Sequence, residues 1–308
     1  MKRFDCLVIG AGPAGVCAAL YLARFDVRVA LVEKLAPGGL LLQTSEVENY
    51  PGFPKGIKGY ELADALDAQL APYANLTRIR GEVQEMELGQ DVKRVRIDDE
   101  WHEAHAVIIC AGVRYKSLGL PDEHKFIGKG LSFCALCDAN FFRGQKVAVV
   151  GGGNSALEES LYLAKIASEV HIIHRRDEFR GAPIYVSRLK EHANVHFEYS
   201  TVVSALHGDT ALEGITLKRL HSGKEEFLPV QGMFIFIGFL PAGHFLPAEL
   251  EVDENGFIHT DLEMRTKLPG VFAAGDIRAK LCRQVVTAVG DGATAANSAF
   301  TYLERKHG

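Results

Sequence analysis

Residues 4–33 read FDCLVIGAGPAGVCAALYLARFDVRVALVE, and the fold class follows from this stretch. Phe4 to Ile9 is an apolar run suited to a buried strand, and Val16 to Arg24 carries apolar residues at helical spacing. Val27 to Val32 is a second such run. Between the first run and the helix stand Gly10, Gly12 and Gly15, with Pro13 and Ala14 inside the turn. In a strand–turn–helix of this kind the first glycine permits the tight turn and the second lets the backbone approach a pyrophosphate. The third lets helix and strand pack closely, with the helix N-terminus facing the negative charge. Glu33 follows Gly15 by 18 residues, at the end of the second strand, where a carboxylate accepts a ribose hydroxyl. The turn predicts a dinucleotide without saying which.

The same grammar returns in residues 146–176, KVAVVGGGNSALEESLYLAKIASEVHIIHRR. The spacing predicts a strand over 146–150, a helix over 157–166 and a strand over 170–173. Gly151, Gly153 and Ala156 repeat the glycine pattern with alanine third, and Asn154 and Ser155 complete the turn. Eighteen residues after Ala156 comes His174, followed by Arg175 and Arg176, where the first copy has its carboxylate. Arg180 lies one turn further on if that stretch is helical. A carboxylate would repel a 2′-phosphate, whereas guanidinium groups bind one through charge-assisted contacts, so this copy predicts NADPH in preference to NADH. The alternatives are a solvated basic loop for the arginines and, for His174, packing beneath the adenine. Two copies predict a pair of nucleotide-binding domains rather than a solenoid.

A chain of 308 residues accommodates two domains with cores of their own. The formal net charge of -5 and the absence of a basic run argue against a nucleic-acid partner. Lys2 and Arg3 ahead of an apolar run resemble an export signal, but Asp5, Pro13 and the glycines interrupt the run below the length a bilayer needs. A soluble, cytoplasmic protein is expected, with no membrane partner. Six cysteines with only two close in sequence are no secreted disulfide framework.

Those two stand in Phe133-Cys134-Ala135-Leu136-Cys137-Asp138. C-x-x-C brings two sulfurs within reach of a disulfide, and such a pair exchanges with an external disulfide, one thiol attacking and the other resolving. Asp138 is placed to act as general acid or base on a leaving thiolate. Zinc is the rival reading, but a structural zinc site needs four ligands. Cys6, Cys17, Cys110 and Cys282 are scattered singly and read as small core residues, so no metal is expected. An inert buried pair is the remaining alternative.

GVFAAGDI, with Gly275 and Asp276, resembles the corresponding segment of the pyridine nucleotide-disulfide oxidoreductase superfamily, which implies FAD in the first domain with Asp276 as its second anchor. A helix N-cap is a compatible role for Asp276. The segment from Cys134 to Arg180, together with GLLLQTSEVENYPGFP and GVFAAGDIRAKLCRQVVTAVGDG, is similar to low-molecular-weight thioredoxin reductases over nearly the whole chain. That resemblance implies an α/β fold of two Rossmann-like domains, the NADPH domain inserted into the FAD domain. The expected boundaries are 1–113 and 241–308 for FAD, and 114–240 for NADPH and the redox pair. It implies Cys137 against the flavin, Cys134 attacking the partner, Asp138 as the acid–base group, and Gly39, Asn49, Asp276, Arg283 and Gln284 at FAD.

The implied activity passes electrons from NADPH through FAD and Cys134–Cys137 to the disulfide of thioredoxin or a thioredoxin-like protein, in a homodimer. Rotation about hinges near 113 and 240 would let the nicotinamide and the thiols reach one flavin in turn. Three positions depart from the pattern. Leu40 follows Gly38-Gly39 where glutamine is usual, Leu136 stands where threonine is common, and Ala139-Asn140 replaces a glycine–aromatic pair. The last two flank the thiols and bear on the partner. A peroxiredoxin, a glutaredoxin-like protein or a small disulfide would need the same chemistry. A flavin-dependent thiol oxidase would tend to lack the arginine cluster. A redox sensor that binds nucleotides without turnover is a reading of a different class.

Overall fold

The computed structural model describes residues 2–307 apart from Ser45 and His244, and for Leu136 and His307 the backbone only. The Leu136 side chain, one of the departures noted above, therefore lies outside the described atoms. The chain divides into two compact units. The first comprises Met1–Leu42, Tyr50–Arg114 and Leu240–Gly308, and the second comprises Gln43–Asn49 and Tyr115–Phe239.

The first unit is built on one seven-stranded sheet. Leu76–Arg80, Val29–Glu33, Lys2–Ile9 and Glu100–Ile109 lie parallel in that order, followed by antiparallel Lys93–Ile97 and Val83–Glu87. Glu100–Ile109 is ten residues long and forks. Its first half pairs with Lys93–Ile97 and its last three residues with Val271–Ala273 from the far end of the chain. Cys6, Leu7, Val8 and Ile9 are all buried, because the central parallel strands are covered on both faces.

The helix Pro13–Arg24 begins with proline at its first position, where the missing N–H costs nothing. It lays Val16, Ala19, Leu22 and Ala23 against the sheet and against the 23-residue helix Val285–His307. Ala288, Ala295, Ala296, Ala299 and Leu303 are buried on that long helix. Complete burial of Leu22 contributes about 1.5–3 kcal/mol relative to exposure. No helix among the described residues is long and apolar enough to cross a membrane.

The second unit repeats the architecture. Leu131–Ser132, Gly232–Phe236, Lys146–Gly151, Glu169–Ile173 and Val195–Glu198 form a parallel sheet in that order. Val147, Val149, Val170 and Ile172 face the helices Asn154–Leu163 and Pro183–Lys190. Ala148, Val150 and Ile173 face the other way, into a cluster with Val203, Ile215 and Leu217. These come from an antiparallel sheet of Thr201–His207, Gly214–Arg219 and Glu225–Leu228. The fold is α/β, with two Rossmann-like domains and the second inserted into the first.

Two local features bear on the sequence reading. The stretch after Ile173 is a series of bends rather than a helix, because its backbone bonds outward. The Arg180 and Gly181 N–H groups both donate to the Gly152 carbonyl (2.7 and 3.0 Å), and Ser200 N–H donates to the Arg176 carbonyl. Gln43–Asn49 clusters with the second unit, although it lies inside the stretch 1–113 expected for the first. Glu46–Val47 contacts the turn Ala135–Asp138, and Glu48 accepts the Asn140 side-chain amide at 2.6 Å.

The helices Pro13–Arg24 and Val285–His307 touch through bare backbone. A Cβ on Gly292 would lie 2.2 Å from the Ala14 carbonyl oxygen, whereas one on Gly290 in the same helix would meet nothing within 4 Å. Gly292→Ala should force the helices apart and cost about 1–3 kcal/mol. Gly290→Ala should be neutral or stabilise by up to about 1 kcal/mol. Thermal unfolding of both variants beside the parent checks this, and equal melting temperatures would contradict it.

Candidate active site

The first glycine turn is held by contact rather than by sequence preference. A Cβ on Gly15 would sit 1.8 Å from the Gly10 carbonyl oxygen, so only glycine lets the helix start this close to the strand. Around Gly12 the backbone faces open space, and a Cβ there would meet only the Gly39 Cα, at 4.0 Å. Gly39 opens the short 3₁₀ turn Gly39–Gln43 that carries Leu40. Gly275 closes on the same turn from the other side, where a Cβ would lie 2.8 Å from the Ala14 Cβ.

Glu33 is fixed by the backbone around it. One carboxylate oxygen accepts the Ala11 N–H (2.9 Å) and the other the Leu35 N–H (3.0 Å). Beside it opens a cavity of about 230 Å³ lined by Gly10, Glu33, Gly81, Val83 and Arg114 among others.

Asp276 sits in the 3₁₀ turn Gly275–Ile277 that follows Val271–Ala273. Arg283 buckles the loop behind it. Its guanidinium donates to the carbonyls of Asp276, Lys280 and Arg278 and lies 4.1 Å over the Phe257 ring. Gln284 stands immediately before the long helix, its carbonyl accepting the Ala288 N–H. Sequence reasoning missed Asp291, whose carboxylate gathers the Gly275 N–H (3.1 Å), Arg278 (2.9 Å) and Lys280 (2.8 Å). Nothing in the linear sequence marks it, since its partners lie 11–16 residues upstream across a loop. Asn49 is exposed and belongs to Gln43–Asn49, so the first unit does not gather it with the other expected flavin residues.

In the second turn Ala156 takes the place of Gly15. A Cβ on Gly151 would lie 2.8 Å from the Ala156 Cβ. The Asn154 side-chain oxygen accepts the Ala182 N–H at 2.7 Å, while Ser155 is exposed. The His174 ring is buried directly beneath Gly152, and its Nε2 has no hydrogen-bond partner. Burial, then the charges of Arg180, Arg176 and Arg175, hold its pKa below the ordinary histidine range against an opposing backbone hydrogen bond at Glu178. The three arginines are exposed and, among the described residues, none is paired with a carboxylate. Exposed guanidinium groups without carboxylate partners are free to meet an anion.

The redox turn lies in the same unit. Cys134 and Cys137 form a disulfide with their Cα atoms 5.3 Å apart. Four of the turn's N–H groups have acceptors. Cys134 N–H donates to Ser132 Oγ (3.1 Å), Ala135 N–H to Glu159 (2.6 Å), Cys137 N–H to Cys134 Sγ (3.2 Å) and Asp138 N–H to the Cys134 carbonyl. The Ser132 hydroxyl donates in turn to the Asp138 carboxylate at 2.6 Å. Ser132 and Glu159 were not legible from sequence. Ser132 is two residues from Cys134 without motif status, and Glu159 lies 24 residues beyond Ala135.

Cys6, Cys17 and Cys110 are buried, as core residues should be, and burial pushes their thiols up, Cys17 to about 11. Cys282 departs from that expectation and is exposed. One further cluster, Glu169, His171 and His196, has donor atoms within 4.8 Å of one another. Lys146 pairs with Glu169 at 2.9 Å, and the two imidazoles stack face to face, which keeps their lone pairs from converging on one ion.

The sequence profile of the family described as "Pyridine nucleotide-disulphide oxidoreductase" matches residues 4–292. The chain belongs to that family. It is 40% identical to a thioredoxin reductase of Listeria innocua, over 98% of this chain and 95% of that one. The thioredoxin reductase of Bacillus subtilis is also 40% identical, over 98% and 96%. Among solved structures, the thioredoxin reductase of Streptococcus pyogenes superposes with a TM-score of 0.91 at 41% identity, covering 99% of both chains.

Membership in the pyridine nucleotide-disulphide oxidoreductases implies FAD, and the first unit fits it. Asp276 Oδ1 is buried without a hydrogen-bond partner, as an acceptor waiting for a hydroxyl would be. Burial pushes this carboxyl up to about 6, with Lys280 and Arg283 pulling the other way. A raised folded-state pKa means that the unfolded chain loses its proton first as pH rises. Flavin-free protein should therefore lose stability between pH 3.8 and about 6 and level off above that. Asp276→Asn should flatten this slope and weaken FAD retention. Urea unfolding of the flavin-free proteins across that range tests it, and equal slopes in both would contradict the assignment.

Proposed function

We propose that the protein is a thioredoxin reductase, using NADPH to reduce the disulfide of thioredoxin through Cys134 and Cys137. The observation that carries this reading is the disulfide itself. It sits on a turn whose polar groups are anchored by Ser132, Asp138 and Glu159, in the unit that carries the arginine-lined nucleotide turn. In this reading the first unit binds FAD and the second NADPH, the working form is a homodimer, and the protein acts in the cytoplasm. Bound FAD supplies the two-electron carrier between nicotinamide and disulfide.

Exchange starts from the dithiol. The Cys134 thiolate attacks one sulfur of the thioredoxin disulfide, that bond breaks, and a mixed disulfide forms. The departing thioredoxin thiolate takes a proton, and Asp138, held by the Ser132 hydroxyl, is the group placed to give it. Cys137 then gives its proton to the Asp138 carboxylate and attacks Cys134 Sγ, which re-forms the internal disulfide and frees the second thioredoxin sulfur as a thiolate that takes a proton from water. Two electrons leave the pair in each cycle. Arg175, Arg176 and Arg180 clamp the 2′-phosphate of NADPH, with the buried His174 ring as the floor of the turn.

Cys134→Ser and Cys137→Ser should each abolish NADPH-dependent thioredoxin reduction, because exchange needs an attacking and a resolving sulfur. Both variants should still oxidise NADPH with an artificial acceptor. Near-native thioredoxin turnover in either one would overturn the reading. Arg175→Ala with Arg176→Ala removes contacts worth about 1.5–3 kcal/mol each. KM for NADPH should rise tenfold or more while KM for NADH changes little, and steady-state kinetics with both nucleotides decides it.

A further inference from the structure

No role attaches to Glu159 in the sequence motifs above. It stands in the helix Asn154–Leu163 that the second glycine turn opens, three residues beyond Ala156. Its carboxylate accepts the Ala135 N–H at 2.6 Å, a short charge-assisted hydrogen bond one peptide unit from Cys134. The carboxylate is partly buried, which limits screening of its charge by water. We infer that Glu159 is a positioning residue that sets the reducing power of the Cys134–Cys137 pair, an inference that rests on the disulfide-reductase reading.

The argument is electrostatic. Opening the disulfide takes two electrons, which NADPH supplies in the proposed activity, and at neutral pH one proton. The products are one thiol and one thiolate. Backbone N–H groups at a turn like this stabilise a thiolate on its first cysteine. Here one of them, on Ala135, is already engaged by a carboxylate, while the Cys137 N–H donates to Cys134 Sγ. The Glu159 charge therefore opposes negative charge on Cys134 in the dithiol state and has no such effect on the neutral disulfide. Destabilising the reduced form makes a dithiol a stronger reductant, just as stabilising it makes an oxidant. A reductase needs the first. The same hydrogen bond ties the redox turn to the helix of the nucleotide turn, so the two move as parts of one unit.

Glu159→Gln tests this because the amide oxygen can keep the Ala135 hydrogen bond while the charge is lost. The FAD-loaded enzyme is equilibrated in glutathione buffers of graded ratio, and the Cys134 and Cys137 thiols are trapped by alkylation and counted by mass. In Glu159→Gln the pair should be found reduced at a GSH²/GSSG ratio roughly tenfold lower than in the parent, which corresponds to about 30 mV. Glu159→Ala, which loses both charge and acceptor, should shift the same way. A midpoint in Glu159→Gln equal to that of the parent would leave only a structural cap and overturn the inference. A parent pair that never cycles between disulfide and dithiol would overturn the reductase reading and this inference with it.

Discussion

The approach of the first helix to the first strand is the constraint on which the flavin unit depends. A side chain at Gly15 would overlap the Gly10 carbonyl, and one at Gly292 would overlap the carbonyl of Ala14. The first turn and the distant helix Val285–His307 are thereby stacked backbone to backbone. The stack brings Gly275, and with it Asp276, back to the turn that Gly12 and Gly39 leave open. Asp291 then holds that return loop by taking Gly275 N–H, Arg278 and Lys280 together. The buried, unpartnered Asp276 oxygen is the outcome of this packing, and it is tolerable because a hydroxylated cofactor can complete it.

The two units use one backbone plan for opposite electrostatic tasks. At the end of the second strand the first unit has Glu33, pinned between two backbone N–H groups and able to accept from a ribose. At the equivalent place the second has His174, its pKa lowered by burial under Gly152, with three exposed arginines nearby. A phosphate would be repelled from the first position and drawn to the second. In the proposed reading, discrimination between dinucleotides rests on the charge at one strand end rather than on a change of fold.

The redox turn is a small structure held by neighbours larger than itself. Ala135–Asp138 is four residues long and could not persist alone. Ser132 from the preceding strand, Glu159 from the nucleotide helix and Glu46–Val47 from an early segment of the chain surround it. Two carboxylates thus bracket one disulfide. Asp138 is linked through a hydroxyl that can pass a proton, and Glu159 through a peptide N–H that cannot.

Much of this protein was legible in the sequence, for reasons of locality. The glycine turns, Glu33, the arginine cluster and C-x-x-C each act within a few residues or at a fixed offset, so their spacing carries their geometry. The strand and helix of each turn were legible for the same reason, because burial imposes its period on the chain. Other features depend on which distant segments meet. The bends after Ile173 arise because Gly152 takes two N–H groups that a helix would have kept. Gln43–Asn49 joins the second unit because Glu48 finds Asn140, 92 residues away. Ser132, Glu159 and Asp291 have ordinary sequence neighbours, and only tertiary packing turns them into partners of a disulfide and of a cofactor loop.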